Sequence, residues 1–103
     1  MSGVNSEYTG MAIGIFELDS YLDCFVALDQ AAKAADVRIQ SVERNRLKSG
    51  ACVKMRGRIS DVKAAMEAAL RTAEERGAVI TASTVIAAPT EDSEIAIAMT
   101  INK

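Results

Sequence analysis

The chain of 103 residues contains no histidine, no tryptophan and a single proline, Pro89. Without imidazole, Ser-His-Asp and Cys-His constellations, H-E-x-x-H zinc sites and histidine acid–base chemistry are excluded together. No Walker loop and no G-x-G-x-x-G run occurs, so neither of those phosphate cradles is present. The acids are scattered over predicted helix surfaces or gathered in the 91–94 stretch, which is the distribution of a solvated face and not of a catalytic carboxylate pair. The sequence reads as a protein that is not an enzyme.

Aromatic residues are also scarce, with only Tyr8, Phe16, Tyr21 and Phe25 present. Half of the residues are apolar all the same, and alanine dominates the helical segments. One domain of this size buries roughly 60–65% of the surface its unfolded chain exposes. Alanine-rich helices bury little area per residue, so contacts between copies are expected to supply part of the stability. The longest apolar runs, Met11 to Phe16 and Val79 to Ala88, fall well short of the roughly 18–20 residues that cross a bilayer. Met1 to Gly10 is polar and lacks a cationic n-region followed by an apolar h-region, so no secretory signal is read there. Cys24 and Cys52 form neither a C-x-x-C pair nor a dense framework, which fits a reducing cytoplasm.

Met11 to Glu17 reads as a short strand, and Gly14 within it suggests close approach of another backbone. Ser20 is placed to cap a helix, Asp23 suits its first turn, and Tyr21, Cys24, Leu28, Ala31 and Ala35 recur at helical spacing. Val37 to Val42 gives a second strand and Ala51 to Arg56 a third. In the third, Ala51, Val53 and Met55 face one way while Cys52, Lys54 and Arg56 face the other, as in a hairpin with one wet face. Between the two lies a polar loop, Arg44-Asn-Arg-Leu-Lys-Ser-Gly50. Ser60 reads as the cap of a second helix, with Val62, Met66, Leu70 and Ala73 on its apolar stripe and Gly77 at its C′ position. Val79 to Ile86 is a fourth strand. The order β-α-β-β-α-β predicts an α+β, ferredoxin-like antiparallel sheet with two helices on one face. Beyond residues 11–88, the tail 89–103 opens with an acidic linker, and Ile95, Ile97, Met99 and Ile101 alternate with smaller residues, predicting an extra strand.

Charge is the remaining signal. The formal net charge is −2, but between Arg38 and Arg58 seven basic residues stand against one acid, Glu43. Ferredoxin-like sheets that bind RNA stack bases on strand aromatics, and Arg38 to Arg58 contains none, which argues against nucleic acid. From the residues alone, one open reading is a small ferredoxin-like regulatory module that forms a trimer or other ring and takes an anionic metabolite at its basic loop. Cys24 and the methionines Met55, Met66 and Met99 read as core packing. Cys52 reads as a small strand residue, with a metal-ligating thiolate as the lesser option.

Over about Ala12 to Val85 the sequence resembles the bacterial microcompartment (BMC-domain) shell proteins. Ala12-Ile-Gly-Ile-Phe-Glu17 is similar to the family's opening strand, and the match runs without a gap to Lys33-Ala-Ala-Asp-Val37, similar to its K-A-A-[ND]-V helix end. It continues in Ser49-Gly50, in Arg56-Gly57 with Val62-Lys-Ala-Ala65, and in Ala73-Glu74 with Gly77. The ungapped first strand and helix favour the shell reading over the regulatory module. The resemblance implies a flat ring of six copies, tiled edge to edge with other shell proteins around encapsulated enzymes in the cytoplasm, with no membrane or nucleic acid involved. It further implies a central pore lined by the loop Arg44, Asn45, Arg46, Leu47, Lys48, Ser49 and Gly50, and an inter-ring edge at Lys33 and Asp36.

Three departures stand out. The family's pore loop is a glycine-rich I-G-S-G, whereas this one is basic, so small anionic metabolites become candidate passengers, with plain solvation of a charged loop as the competing account. The family's Pro-Arg-Pro at the end of the domain reads Ile86-Ala-Ala-Pro89 here. The strand-like tail is an addition. Some shell proteins hold an iron–sulfur cluster through a Cys-Pro-Gly in the pore loop; Cys52 lies past the loop without that setting, so no cofactor or metal is assigned and Cys52 is the sole candidate ligand.

Overall fold

The computed structural model describes residues 7–45 and 49–101. Its elements are β1 (Ala12–Leu18), α1 (Tyr21–Ala34), β2 (Arg38–Arg44), β3 (Ala51–Gly57), α2 (Ile59–Glu75), β4 (Ile80–Ile86) and α3 (Glu91–Thr100). The four strands form one sheet in the order β2-β3-β1-β4, and every pairing is antiparallel. This is the expected ferredoxin-like order, because each helical crossover returns the chain to the same face of the sheet.

The core lies between that face and α1 and α2. Phe16, Leu18, Val53 and Met55 from the sheet meet Cys24, Ala27 and Ala31 of α1 and Val62, Ala65, Met66, Ala69 and Ala73 of α2. The alanines let the helices sit close to each other and to the sheet. A Cβ on Gly14 would stand 2.8 Å from Met66 Cγ and 2.9 Å from Val62 Cγ1, so this glycine is where α2 presses its side chains onto β1. The close approach read from the sequence is therefore real, but side chains make it and not another backbone.

Local signals set most of the boundaries. Ser20 Oγ accepts the Asp23 N–H at 3.2 Å and starts α1. At the end of α2, the Gly77 N–H donates to the Glu74 carbonyl at 3.0 Å and the Ala78 N–H to the Ala73 carbonyl at 2.9 Å, with Gly77 at φ +75°. That pair of bonds is the Schellman closure, and the left-handed residue it needs is the glycine. The start of α2 differs from expectation. Because β3 runs to Gly57, only Arg58 separates strand from helix; Arg58 is the N-cap, its side chain caps no backbone N–H, and Ser60 falls inside the helix.

Two further expectations are overturned on the other face of the sheet. The strand predicted in the tail is a helix, α3, capped by Thr90 Oγ1, which accepts the Ser93 N–H at 3.1 Å. Glu91, Asp92 and Glu94 lie in its first turn, where the helix dipole favours acids, and Ala96 and Ala98 are strong helix formers. These outweigh the period-two pattern of Ile95, Ile97 and Met99. Met99 is 70% exposed and fills no core. Nor is that face of the hairpin wet: Arg56 is fully buried and Lys54 nearly so, and Ile13, opposite Arg56 in the β1–β3 register, is buried with them.

Candidate assembly surfaces and the loop between β2 and β3

The loop is pinned at its base. The Asn45 N–H donates to the Gly50 carbonyl at 2.9 Å, closing the hairpin. The Ser49 carbonyl accepts the Tyr21 N–H at 2.7 Å, and Ser49 Oγ donates to the Asp19 carbonyl at 3.0 Å, tying the loop to the β1–α1 junction. A Cβ on Gly50 would stand 2.1 Å from the Leu18 carbonyl oxygen, so only glycine fits there. Arg44 ends β2 on the core side, opposite Ala51, with its guanidinium 4.4 Å from the centre of the Tyr21 ring. Tyr21 in turn meets Phe25 edge-on with ring centres 4.9 Å apart. Asn45 Nδ2 lies 3.5 Å from Glu17 Oε2. Arg46, Leu47 and Lys48, the centre of the predicted pore loop, lie outside the described residues.

Cys52 sits one residue past the start of β3, in register between Glu43 on β2 and Glu17 on β1. Burial pushes its thiol above the ordinary value; Lys54 pulls it back, while Glu43 and Glu17 raise it further. One protonated thiol flanked by two carboxylates does not fit an iron–sulfur ligand. Cys24 is raised chiefly by burial as well, and its Sγ donates to the Ala51 carbonyl at 3.3 Å.

Next along the same face, Lys54 Nζ holds both Glu43 oxygens, at 2.7 and 2.8 Å. Arg56 then forms the hub. Its Nη1 donates to Glu94 Oε1 at 2.9 Å and to Gln40 Oε1 at 3.2 Å. Its Nη2 donates to Glu94 Oε2 and to the carbonyls of Tyr8 and Met11, at 3.2 and 3.0 Å. One guanidinium on β3 thus fastens the N-terminal segment, Gln40 of β2 and α3 together. Sequence reasoning missed this hub; the available signal was an acidic 91–94 stretch complementing two cations on an apparently wet strand face.

At the opposite end from the loop, Lys33 is exposed in the last turn of α1 and pairs with Asp29 at 2.8 Å. Asp36, also exposed, follows that helix and lines a cleft of about 180 Å³ with Arg38 and Arg58. The structure therefore brings Lys33 and Asp36 to one end and the described loop residues to the other. Large apolar side chains are exposed at both ends: Leu22, Phe25 and Val79 near the loop, Ile59 and Ile86 at the far end. Among the described residues no helix is long and apolar enough to cross a membrane.

A four-stranded antiparallel sheet with two helices on one face, a β2–β3 loop pinned at its base and exposed apolar side chains at both ends define a small α+β module. Residues 12–89 match the BMC domain, and the chain belongs to that family, whose members are structural shell proteins of bacterial microcompartments. Eighty solved chains are similar to it. One is a microcompartments protein from Desulfitobacterium hafniense DCB, 28% identical, with a TM-score of 0.71 over 79% of this chain and 45% of that one. The chain thus spans less than half the length of that relative. Comparison with curated proteins gives no match.

Proposed function

We propose that the protein is a shell subunit that closes into a six-membered ring, with the β2–β3 loops of the copies converging on a central pore. The observation that carries this reading is the match of residues 12–89 to the BMC domain. The physical support lies in the surface: Leu22 is 67% exposed and Val79 56%, a display of apolar area that association removes from water. Both stand beside the loop base, so copies that bury them bring their loops together. Lys33 and Asp36, at the other end, then face outward as the edge between rings.

The loop's charge gives the ring its selectivity. Arg46 and Lys48, repeated around one axis, set up a positive field that concentrates anions and repels cations. Arg44 contributes less, being stacked on Tyr21. The enclosed enzymes and companion shell proteins are the expected partners. Electron micrographs at moderate salt test the assembly: sheets or tubes support it, and dispersed small particles at every concentration contradict it. For the pore, replacing Arg46 and Lys48 by Ser is expected to slow anionic metabolites relative to neutral ones across assembled shells. Unchanged passage of both contradicts anion selection.

A further inference from the structure

The face of the sheet opposite α1 and α2 is met by two segments, Glu7 to Met11 before β1 and α3 after β4. Both converge on one nitrogen. Arg56 Nη2 donates to the Tyr8 carbonyl at 3.2 Å, to the Met11 carbonyl at 3.0 Å and to Glu94 Oε2. The centre of the Tyr8 ring lies 5.8 Å from the carbon of the same guanidinium. Away from Arg56, α3 has little hold on the sheet: of its residues only Glu94 and Ile97 are buried, while Ile95 and Met99 face water. Glu7 pairs with Arg38 at 3.0 Å, with both side chains mostly exposed, where such a pair contributes little.

A shared donor makes the two holds depend on each other. With α3 lifted, water reaches the guanidinium and competes for its bonds to two neutral carbonyls, which contribute little once exposed. With Glu7 to Met11 lifted, water reaches Nη2, and the Arg56–Glu94 pair becomes a wetted ion pair of small worth. The state in which Arg56 stays buried without Glu94 is the costly one, because the cation then lacks its counter-ion. We propose that Glu7 to Met11 and α3 form one latch with Arg56 as the shared catch, opening from the sheet and closing on it as a single unit, ahead of the core. A partner that grips either segment thereby frees the other and bares Arg56 on the sheet. These contacts lie within one chain, so the latch does not depend on ring formation.

Native-state hydrogen exchange on the full chain tests it. The reporters are the Met11 N–H, which donates to the Tyr8 carbonyl at 2.9 Å, and the amides of Ile97 to Thr100 in α3. In the wild-type chain both should exchange through one opening, with the same rate of opening and the same urea dependence, before the core amides of Phe16 and Ala69. Two variants then perturb one segment each. Gly10 stands at φ +88° with nothing within 4 Å of an added Cβ, so Gly10→Val strains the turn before β1 without a clash. It should speed the α3 amides at least about tenfold. Glu94→Gln removes the charge at the catch and should speed the Met11 N–H at least about tenfold. The Phe16 and Ala69 amides should keep their wild-type rates in both. Variants that loosen only their own segment, or wild-type reporters with different urea dependences, overturn the latch. Should a variant lose the whole fold, its core amides show it and the wild-type urea series decides alone.

Discussion

Arg56 and Glu94, 38 residues apart, form a buried ion pair that closes α3 over the second face of the sheet. The guanidinium is fully buried and the carboxylate nearly so. Removing either partner leaves the other charge buried without its counter-ion, which typically costs about 3–5 kcal/mol. Arg56→Met and Glu94→Leu should each lose stability on that scale, whereas the double variant should recover much of it because no charge is left stranded. Urea denaturation of the four proteins checks this; two single losses that simply add contradict the pairing.

This relationship marks the limit of what the sequence discloses. Strand order, both long helices and the core stripe of Cys24, Val62, Met66 and Ala73 follow from local periodicity and turn residues. Lys54 and Arg56 alternate with apolar neighbours, and alternation alone cannot tell a cation facing water from one facing a carboxylate 38 residues away. The tail fails for a related reason: Ile95, Ile97 and Met99 fit a strand's period, but the Thr90 cap, the acidic first turn and the contact to Arg56 decide for a helix. At the candidate site, the positions of the loop and the α1 end were legible, because Gly50 and Lys33 sit at element boundaries. The Arg44–Tyr21 stack was not, because it depends on which way the last residue of β2 faces.

The two ends of regular structure at Gly50 and Gly77 should respond differently to alanine. At Gly50 a methyl meets the Leu18 backbone carbonyl oxygen at 2.1 Å, so Gly50→Ala is expected to cost about 3 kcal/mol or more. At Gly77 nothing lies within 4 Å of the added carbon, and the cost is the left-handed conformation alone, about 1 kcal/mol. Denaturant midpoints for the two variants give the ranking directly.

Capping separates the two serines. Ser20→Ala removes the acceptor for the Asp23 amide and should cost about 1 kcal/mol. Ser60→Ala lies within α2 and should be neutral or slightly stabilising, since alanine is the better helix former. Equal losses at both positions, measured by thermal unfolding, would place the α2 cap at Ser60 after all.

The thiols make a pH-dependent prediction. Burial raises the pKa of both Cys24 and Cys52 above that of an ordinary thiol in the folded chain. The protonated forms are thus the ones the fold favours: their contribution to stability is complete below the unfolded thiol's pKa and is lost as pH climbs through the raised values. Stability should fall above about pH 9, and less steeply in Cys24→Ala/Cys52→Ala. Alkylation of the native protein at pH 7.5 should be slower at Cys52 than for a free thiol, and slower again at buried Cys24. Rapid labelling of Cys52 at neutral pH contradicts the assignment.

The central claim is that the fold exists to assemble. Its most direct test is the particle mass by light scattering at a salt concentration that keeps sheets apart. The expected result is a uniform species six times the 11.0 kDa chain mass. A particle of monomer mass that persists as protein concentration rises would contradict the account.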